Sequence, residues 1–102
     1  MQKRRDTPQP GPAARVSRTL VVAMRFIIDL QHWVGTDPRM AARVLRVMLE
    51  TARDPQGGIA KPERLRHSDR RDCSRRITQE HRMVYRYDEE HVEFVSARFH
   101  YE

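Results

Sequence analysis

The sequence predicts an α+β domain in which two helices pack on one face of a twisted antiparallel β-sheet. Three observations predict this class: a β-rich run near the start, two successive amphipathic segments, and a series of short strand-like runs separated by turns. Their order is β-α-α-β-β-β-β, which places the helices together on one side of the sheet. At 102 residues, the chain is long enough for one such domain.

The first 18 residues differ from the rest in composition. They are rich in proline and basic residues and have no hydrophobic periodicity, so we expect a disordered tail over 1–18 and a folded domain over 19–102. The tail is interpreted either as a solvated extension or as an RNA-tethering arm.

Residues 19–52 are expected to form the first strand and both helices. The run TLVVA predicts a strand, and Asp37-Pro38 is typical of a helix start, with an N-cap acid before proline. Apolar residues recur at helical spacing in both segments. We expect these to be the buried ones: Phe26, Ile27, Leu30, Trp33 and Val34 in the first helix, then Met40, Ala41, Val44, Leu45, Met48 and Ala52 in the second.

The segment DPQGGIAKPE is rich in turn formers and predicts a loop that contains Glu63. Four candidate strands follow: Leu65–His67, Cys73–Thr78, Arg82–Tyr87 and Val92–Tyr101.

Alternate strand residues face opposite sides of a sheet. The helices must cover the apolar set, so the open face is expected to collect Arg76, Arg82, Arg98 and His100. Three residues fit this assignment badly. Arg75 falls on the apolar face and Val92 and Phe94 fall on the polar one, so strand twist, a bulge or a different register is required.

The charge distribution points to a polyanionic ligand. The net charge is +6, and residues 66–86 alone carry seven arginines against three carboxylates. Arg66 and His67 lie at the start of this basic stripe, and Glu63 lies just before it. A carboxylate, guanidiniums and an imidazole on one face can support phosphodiester chemistry through proton transfer and stabilisation of phosphate charge. The alternative interpretation is an ordinary solvated sheet face.

Three ordered motifs, KPERLRH, SRRITQEHRMVY and ARFHY, resemble the YoeB/Txe toxins of type II toxin–antitoxin systems, within the RelE-like superfamily. The resemblance covers about residues 19–101. It implies a similar twisted sheet with two helices, and an endoribonuclease that cuts mRNA in the ribosomal 30S A site without a metal or another cofactor. The 2′-hydroxyl would attack the adjacent phosphate.

The resemblance also implies roles for individual residues. Glu63 would be the general base, Arg82 would stabilise the phosphate, and His100 would be the general acid. The supporting RNA contacts would be Arg66, His67, Arg76, Arg98 and Tyr101. The chain departs from the family pattern at SDRRDC (residues 68–73), where a glycine and a large aromatic residue are usual.

The resemblance further implies a cognate antitoxin of the YefM/Axe/Phd type, with the ribosome and mRNA as targets and homodimerisation left open. We expect a cytoplasmic protein with no membrane segment, since the longest apolar run is interrupted by Arg25. The alternative is a catalytically impaired homologue that acts as an RNA- or antitoxin-binding module. A DNA-binding protein is disfavoured, because no helix-turn-helix pattern is present. Cys73 is expected to be a half-buried strand residue rather than a reactive thiol, and His81 to be structural or exposed.

Overall fold

The computed structural model describes residues 18–58, 60, 62–65 and 72–99. Over these residues the elements follow the predicted order, namely β1 (Thr19–Val22), α1 (Met24–Thr36), α2 (Pro38–Arg53), β2 (Glu63–Arg64), β3 (Cys73–Arg76), β4 (Arg82–Tyr87) and β5 (His91–Ser96). The predicted tail lies outside the described residues except for Arg18. Among the described residues, neither helix is long and apolar enough to span a membrane.

The strands form one five-stranded sheet with the order β1-β5-β4-β3-β2. Pairing is antiparallel from β2 to β5, as predicted, whereas β1 pairs parallel to β5 and makes the sheet mixed. Along the sequence, the two helices lie between β1 and the other strands. This long connection allows β1 to pair with the edge of β5 in a parallel direction. The amide of Ala23 extends the pairing by donating to the Phe94 carbonyl at 2.9 Å.

The helices cover one face of the sheet, but their buried stripes differ from the predicted ones. In α1 the buried residues are Phe26, Asp29 and Trp33, while Ile27 and Val34 are exposed. The carboxylate of Asp29 lies on this buried stripe because it accepts a hydrogen bond from the backbone amide of Ala97. In α2 the stripe is rotated, so Leu45 is exposed and the buried residues are Met40, Ala41, Val44, Val47 and Thr51. Asp37 occupies the N-cap position before Pro38 as predicted, but its side chain makes no capping hydrogen bond.

Three strand predictions need correction. The third strand ends at Arg76 rather than Thr78. The short strand is Glu63–Arg64 rather than Leu65–His67, so Glu63 lies on a strand instead of in the loop. The last strand ends at Ser96 rather than Tyr101. It ends there because the Ala97 amide donates to the side chain of Asp29 at 2.8 Å and leaves the ladder.

A bulge in β5 explains two of the poorly fitting residues. Tyr85 pairs with Phe94 while Val84 pairs with Ser96, so Val95 is an extra residue in the ladder. The extra residue lets Val92 and Phe94 face the core, where both are fully buried. Beyond the bulge, Ser96 returns to the open face beside Val84.

Arg75 lies on the helix-facing side, as its position in β3 predicts, and is fully buried. Its Nε donates to the Tyr85 hydroxyl at 3.2 Å, and its Nη2 donates to the Asp54 carbonyl at 2.5 Å. These hydrogen bonds account for a charged group in the core. The arginine therefore ties β3 to the loop that follows α2.

Candidate active site on the open face of the sheet

The open face of β2, β3 and β4 brings together the central residues of the predicted site. Glu63 pairs with Ser74, and Arg76 pairs with Arg82. Directly paired residues share a face of the sheet, and residues two apart along a strand do so as well. The pairing therefore places Glu63, Ser74, Arg76 and Arg82 on the side away from the helices.

Glu63 and Arg82 form an ion pair across this face. Nη1 of Arg82 donates to Oε1 of Glu63 at 3.1 Å and to Oγ of Ser74 at 3.1 Å. The Arg82 side chain is only 11% exposed, whereas the Glu63 side chain is 57% exposed. The guanidinium is therefore fixed within the sheet surface, and the carboxylate above it is reachable by a ligand.

Arg76 adds a second guanidinium beside this pair. Its backbone amide donates to the Ala60 carbonyl at 2.7 Å, which fixes the end of β3. Its buried Nε has no hydrogen-bond partner among the described residues. A buried donor without a partner is costly, so an anionic ligand that accepted from it would bind favourably.

Arg98 lies elsewhere than strand alternation predicts. It follows the end of β5, and its guanidinium lies 6.0 Å from the Trp33 ring and 4.7 Å from the Phe99 ring. The predicted strand would have placed it on the open face. Instead the chain leaves the ladder after Ser96, and Arg98 packs against an aromatic residue of α1.

The C-terminal segment is anchored to α1 by two side chains. Asp29 accepts from the Ala97 amide at 2.8 Å, and the Trp33 indole donates to the Ala97 carbonyl at 2.9 Å. Asp29 also accepts from Nε of Arg25 at 2.9 Å, so both of its oxygens are used although it is buried. The helical spacing of apolar residues in α1 does not indicate that Asp29 is buried.

Asp72 and Cys73, which depart from the family pattern, are both integrated into the structure. Asp72 accepts from Nε of Arg86 at 2.8 Å, and Arg86 also donates to Glu93 at 3.1 Å. Cys73 is a strand residue, as expected, but it is buried in the core rather than half-buried, and burial raises the pKa of its thiol. The departure is thus accommodated at these two positions by an ion pair and by apolar packing.

Four predicted site residues lie outside the described residues: Arg66, His67, His100 and Tyr101. Two further residues are Ser74, for which the sequence predicted no role, and His81, which was expected to be structural or exposed. Ser74 lies on the open face and is a hydrogen-bond partner of Arg82, which the sequence did not indicate. His81, within the EHR motif, binds the C-terminal segment through its ring. In the part of the chain that the structure describes, no cluster of metal-ligating side chains is found.

Comparisons with known proteins place this architecture among bacterial toxins. Residues 23–101 match the family model described as the YoeB-like toxin of bacterial type II toxin–antitoxin systems. Toxin RelK of Mycobacterium tuberculosis is 42% identical over 73 residues, which cover 72% of this chain and 86% of that protein.

Solved structures agree with the sequence matches. A YoeB/ParE toxin from Agrobacterium tumefaciens is 38% identical with a TM-score of 0.72, and the match covers 80% of this chain and 98% of that one. The heterotetrameric YoeB–YefM toxin–antitoxin complex from Staphylococcus aureus contains a chain that is 29% identical, with a TM-score of 0.70, covering 82% of this chain and 98% of that one.

The class that these matches and the fold define is the toxin component of a type II toxin–antitoxin system. Within that class, the chain belongs to the family of YoeB-like toxins, which confirms the predicted resemblance.

Proposed function

We propose that this toxin is an endoribonuclease that cleaves mRNA on the ribosome and thereby inhibits translation. The observation that supports the proposal is the ion pair between Glu63 and Arg82, 3.1 Å apart on the open face of the sheet. A carboxylate and a guanidinium at this distance can act together on one RNA linkage, with the guanidinium binding the phosphate and the carboxylate accepting a proton. The carboxylate faces the attacking hydroxyl, and the guanidinium faces the phosphate.

The first half of the proposed reaction uses these two residues. A bound phosphate competes with Glu63 for Arg82 and leaves the carboxylate free to accept a proton. Glu63 takes the proton of the ribose 2′-hydroxyl, and the 2′-oxygen attacks the adjacent phosphorus. Arg82 stabilises the charge that develops on the phosphate oxygens, with Arg76 beside it.

The second half of the proposed reaction needs a general acid. The bond from phosphorus to the 5′-oxygen breaks, and His100 gives its proton to that oxygen. The products are a 2′,3′-cyclic phosphate and a 5′-hydroxyl. Side chains alone serve as acid and base in this scheme. Arg66, His67, Arg98 and Tyr101 remain predicted supporting contacts to RNA.

The proposal is tested by primer extension on mRNA translated by purified ribosomes. Wild-type toxin is expected to cut translated messages. Glu63→Gln and Arg82→Gln should each lower the single-turnover cleavage rate by about 10²-fold or more, the range for removing a general base or an electrostatic stabiliser. A matched control is the exposed ion pair between Glu50 and Arg53 on α2, 3.3 Å apart. Glu50→Gln and Arg53→Gln should cut at the wild-type rate.

Two results would contradict the proposal. In one, wild type and Glu63→Gln cut at equal rates, and the site is misassigned. In the other, wild type binds RNA with a steep salt dependence but cuts nothing on ribosomes. The protein would then be the non-catalytic RNA- or antitoxin-binding homologue.

We further propose a cognate antitoxin of the YefM type as the partner. The support is the Staphylococcus aureus relative, whose structure is a complex of YoeB with YefM. An antitoxin segment with acidic residues would complement the basic open face and exclude RNA from it.

A further inference from the structure

The backbone of Phe99 is held at both of its polar groups. Its amide donates to Nδ1 of His81 at 2.8 Å, and its carbonyl accepts from the amide of Arg82 at 3.0 Å. Phe99 also has a φ of +68°, in the left-handed region. A residue other than glycine is held there only when its surroundings determine its conformation, since the cost is of the order of 1 kcal/mol or more.

The His81 ring is itself fixed in place. Its side chain is 17% exposed and meets the Trp33 ring edge-on, with centroids 4.8 Å apart. Its backbone closes a turn, because its carbonyl accepts from the amides of Ile77 and Thr78. The Thr78 hydroxyl in turn accepts from the His81 amide at 3.2 Å. The imidazole therefore presents Nδ1 to Phe99 in one orientation.

This contact connects the end of the chain with the candidate active site. Two residues earlier, Ala97 is fixed by Asp29 and Trp33, so the chain is anchored on both sides of Arg98. Arg82 holds Phe99 through its backbone amide and holds Glu63 through its guanidinium. The backbone of Phe99 is thus held in a fixed position relative to the Glu63–Arg82 pair.

We infer that His81 is a positioning residue. Its Nδ1 holds the backbone of Phe99, and we expect this contact to be required for the proton transfer proposed for the next residue in the sequence, His100. The inference depends on the proposed function for the role of His100. It assigns to the imidazole of His81 an acceptor role, with the proton of the neutral ring on Nε2.

Three variants separate the acceptor from the ring. His81→Asn keeps an acceptor oxygen near the position of Nδ1, while His81→Phe keeps an aromatic ring against Trp33 and loses the acceptor. The control is His32→Phe on α1, since His32 also contacts the Trp33 ring, at 4.7 Å, but has no contact with Phe99 among the described residues.

Single-turnover cleavage on ribosomes should fall by about 10- to 100-fold in His81→Phe, the cost of a small misplacement of a reacting group. His81→Asn should stay within about fivefold of wild type, since the hydrogen bond is restored. His32→Phe should be unchanged, and binding to programmed ribosomes should be equal in all four proteins.

A second readout does not depend on activity. In ¹⁵N NMR spectra, His81 should show an unprotonated Nδ1 and a protonated Nε2. The Phe99 amide should be protected from hydrogen exchange in wild type and His81→Asn but not in His81→Phe. Equal protection in all variants would overturn the inference whatever the cleavage data show. Equal cleavage by wild type and His81→Phe would also overturn it. If wild type cuts no RNA while the Phe99 amide is protected as expected, the proposed function fails, and with it the catalytic role of the His81–Phe99 hydrogen bond. The hydrogen bond itself would still be supported.

Discussion

Arg75 and Arg82 lie on neighbouring strands but on opposite faces of the sheet, and their surroundings differ accordingly. Arg75 is fully buried and donates to groups of the protein interior, the Tyr85 hydroxyl and the Asp54 carbonyl. Arg82 donates to the exposed carboxylate of Glu63. A ligand cannot reach the partners of Arg75 without unfolding the loop above them, but it can displace Glu63. The same residue type therefore stabilises the fold on one face and is available to a phosphate on the other.

The largest expected effect comes from removing the helix-facing arginine. Arg75→Met should lower the free energy of unfolding by about 2–4 kcal/mol, the range for losing a buried hydrogen-bonding partner with its packing. The Tyr85 hydroxyl keeps its bond to the Pro55 carbonyl at 2.6 Å, so the loss is that of the arginine. Urea denaturation of the purified protein measures it.

The matched control is the next residue along β3. Arg76→Met replaces an arginine that points to the open face, so stability should change by less than about 1 kcal/mol, as is usual for substitutions outside the core. If both variants lose the same stability, the distinction between the two faces is wrong.

A smaller effect is expected on the rate at which the thiol of Cys73, on the helix-facing side, is alkylated. Burial raises the pKa of Cys73, so the thiol stays protonated at neutral pH and should react slowly. Alkylation by iodoacetamide should be at least about tenfold slower in the folded protein than in urea, since the buried thiol is reached only when the structure opens locally. Mass spectrometry of timed samples gives both rates.

The pH dependence of this reaction has a defined sign. Because the folded pKa of Cys73 is raised, the stability linked to its neutral form is present below the unfolded-state pKa and is lost as pH rises through the folded pKa. Alkylation of the folded protein should accelerate over the same interval. Fast alkylation at neutral pH would instead identify a reactive thiol.

Strand alternation was sufficient to predict that Arg76 and Arg82 share the open face and that Arg75 does not. These residues lie in β3 and β4, a short antiparallel pair whose connection fixes the register. The same rule misassigned Val92 and Phe94 in β5, because the bulge at Val95 changes the alternation between these residues and Ser96. The poor fit of these two residues indicated strand twist, a bulge or a different register, but no local feature of the sequence gave the position of the bulge.

The remaining features depend on contacts between distant parts of the chain. Asp29 is buried because the Ala97 amide needs an acceptor, which hydrophobic periodicity in α1 cannot show. The pairing of β1 with β5 joins the two ends of the domain. The distance between Glu63 and Arg82 depends on the register of β2 against β3, across a long connection. The roles of these residues in catalysis remain predictions from the family resemblance.

The smallest expected effect concerns the second acceptor of Arg82. Ser74→Ala removes the hydroxyl that accepts from Nη1 at 3.1 Å and leaves the bond to Glu63. Losing one of two bonds that orient the guanidinium should lower single-turnover cleavage by about three- to tenfold, corresponding to about 1 kcal/mol. Stability should change little, because the hydroxyl is removed without an increase in side-chain volume.

Ser96 provides the control for this variant. It is also a buried serine on the open face, where it pairs with Val84, and among the described residues its side chain makes no hydrogen bond to Arg82. Ser96→Ala should therefore cut at the wild-type rate. If Ser74→Ala and Ser96→Ala lose cleavage equally, the open face acts through its packing, and the orientation of Arg82 by Ser74 is not what limits the rate.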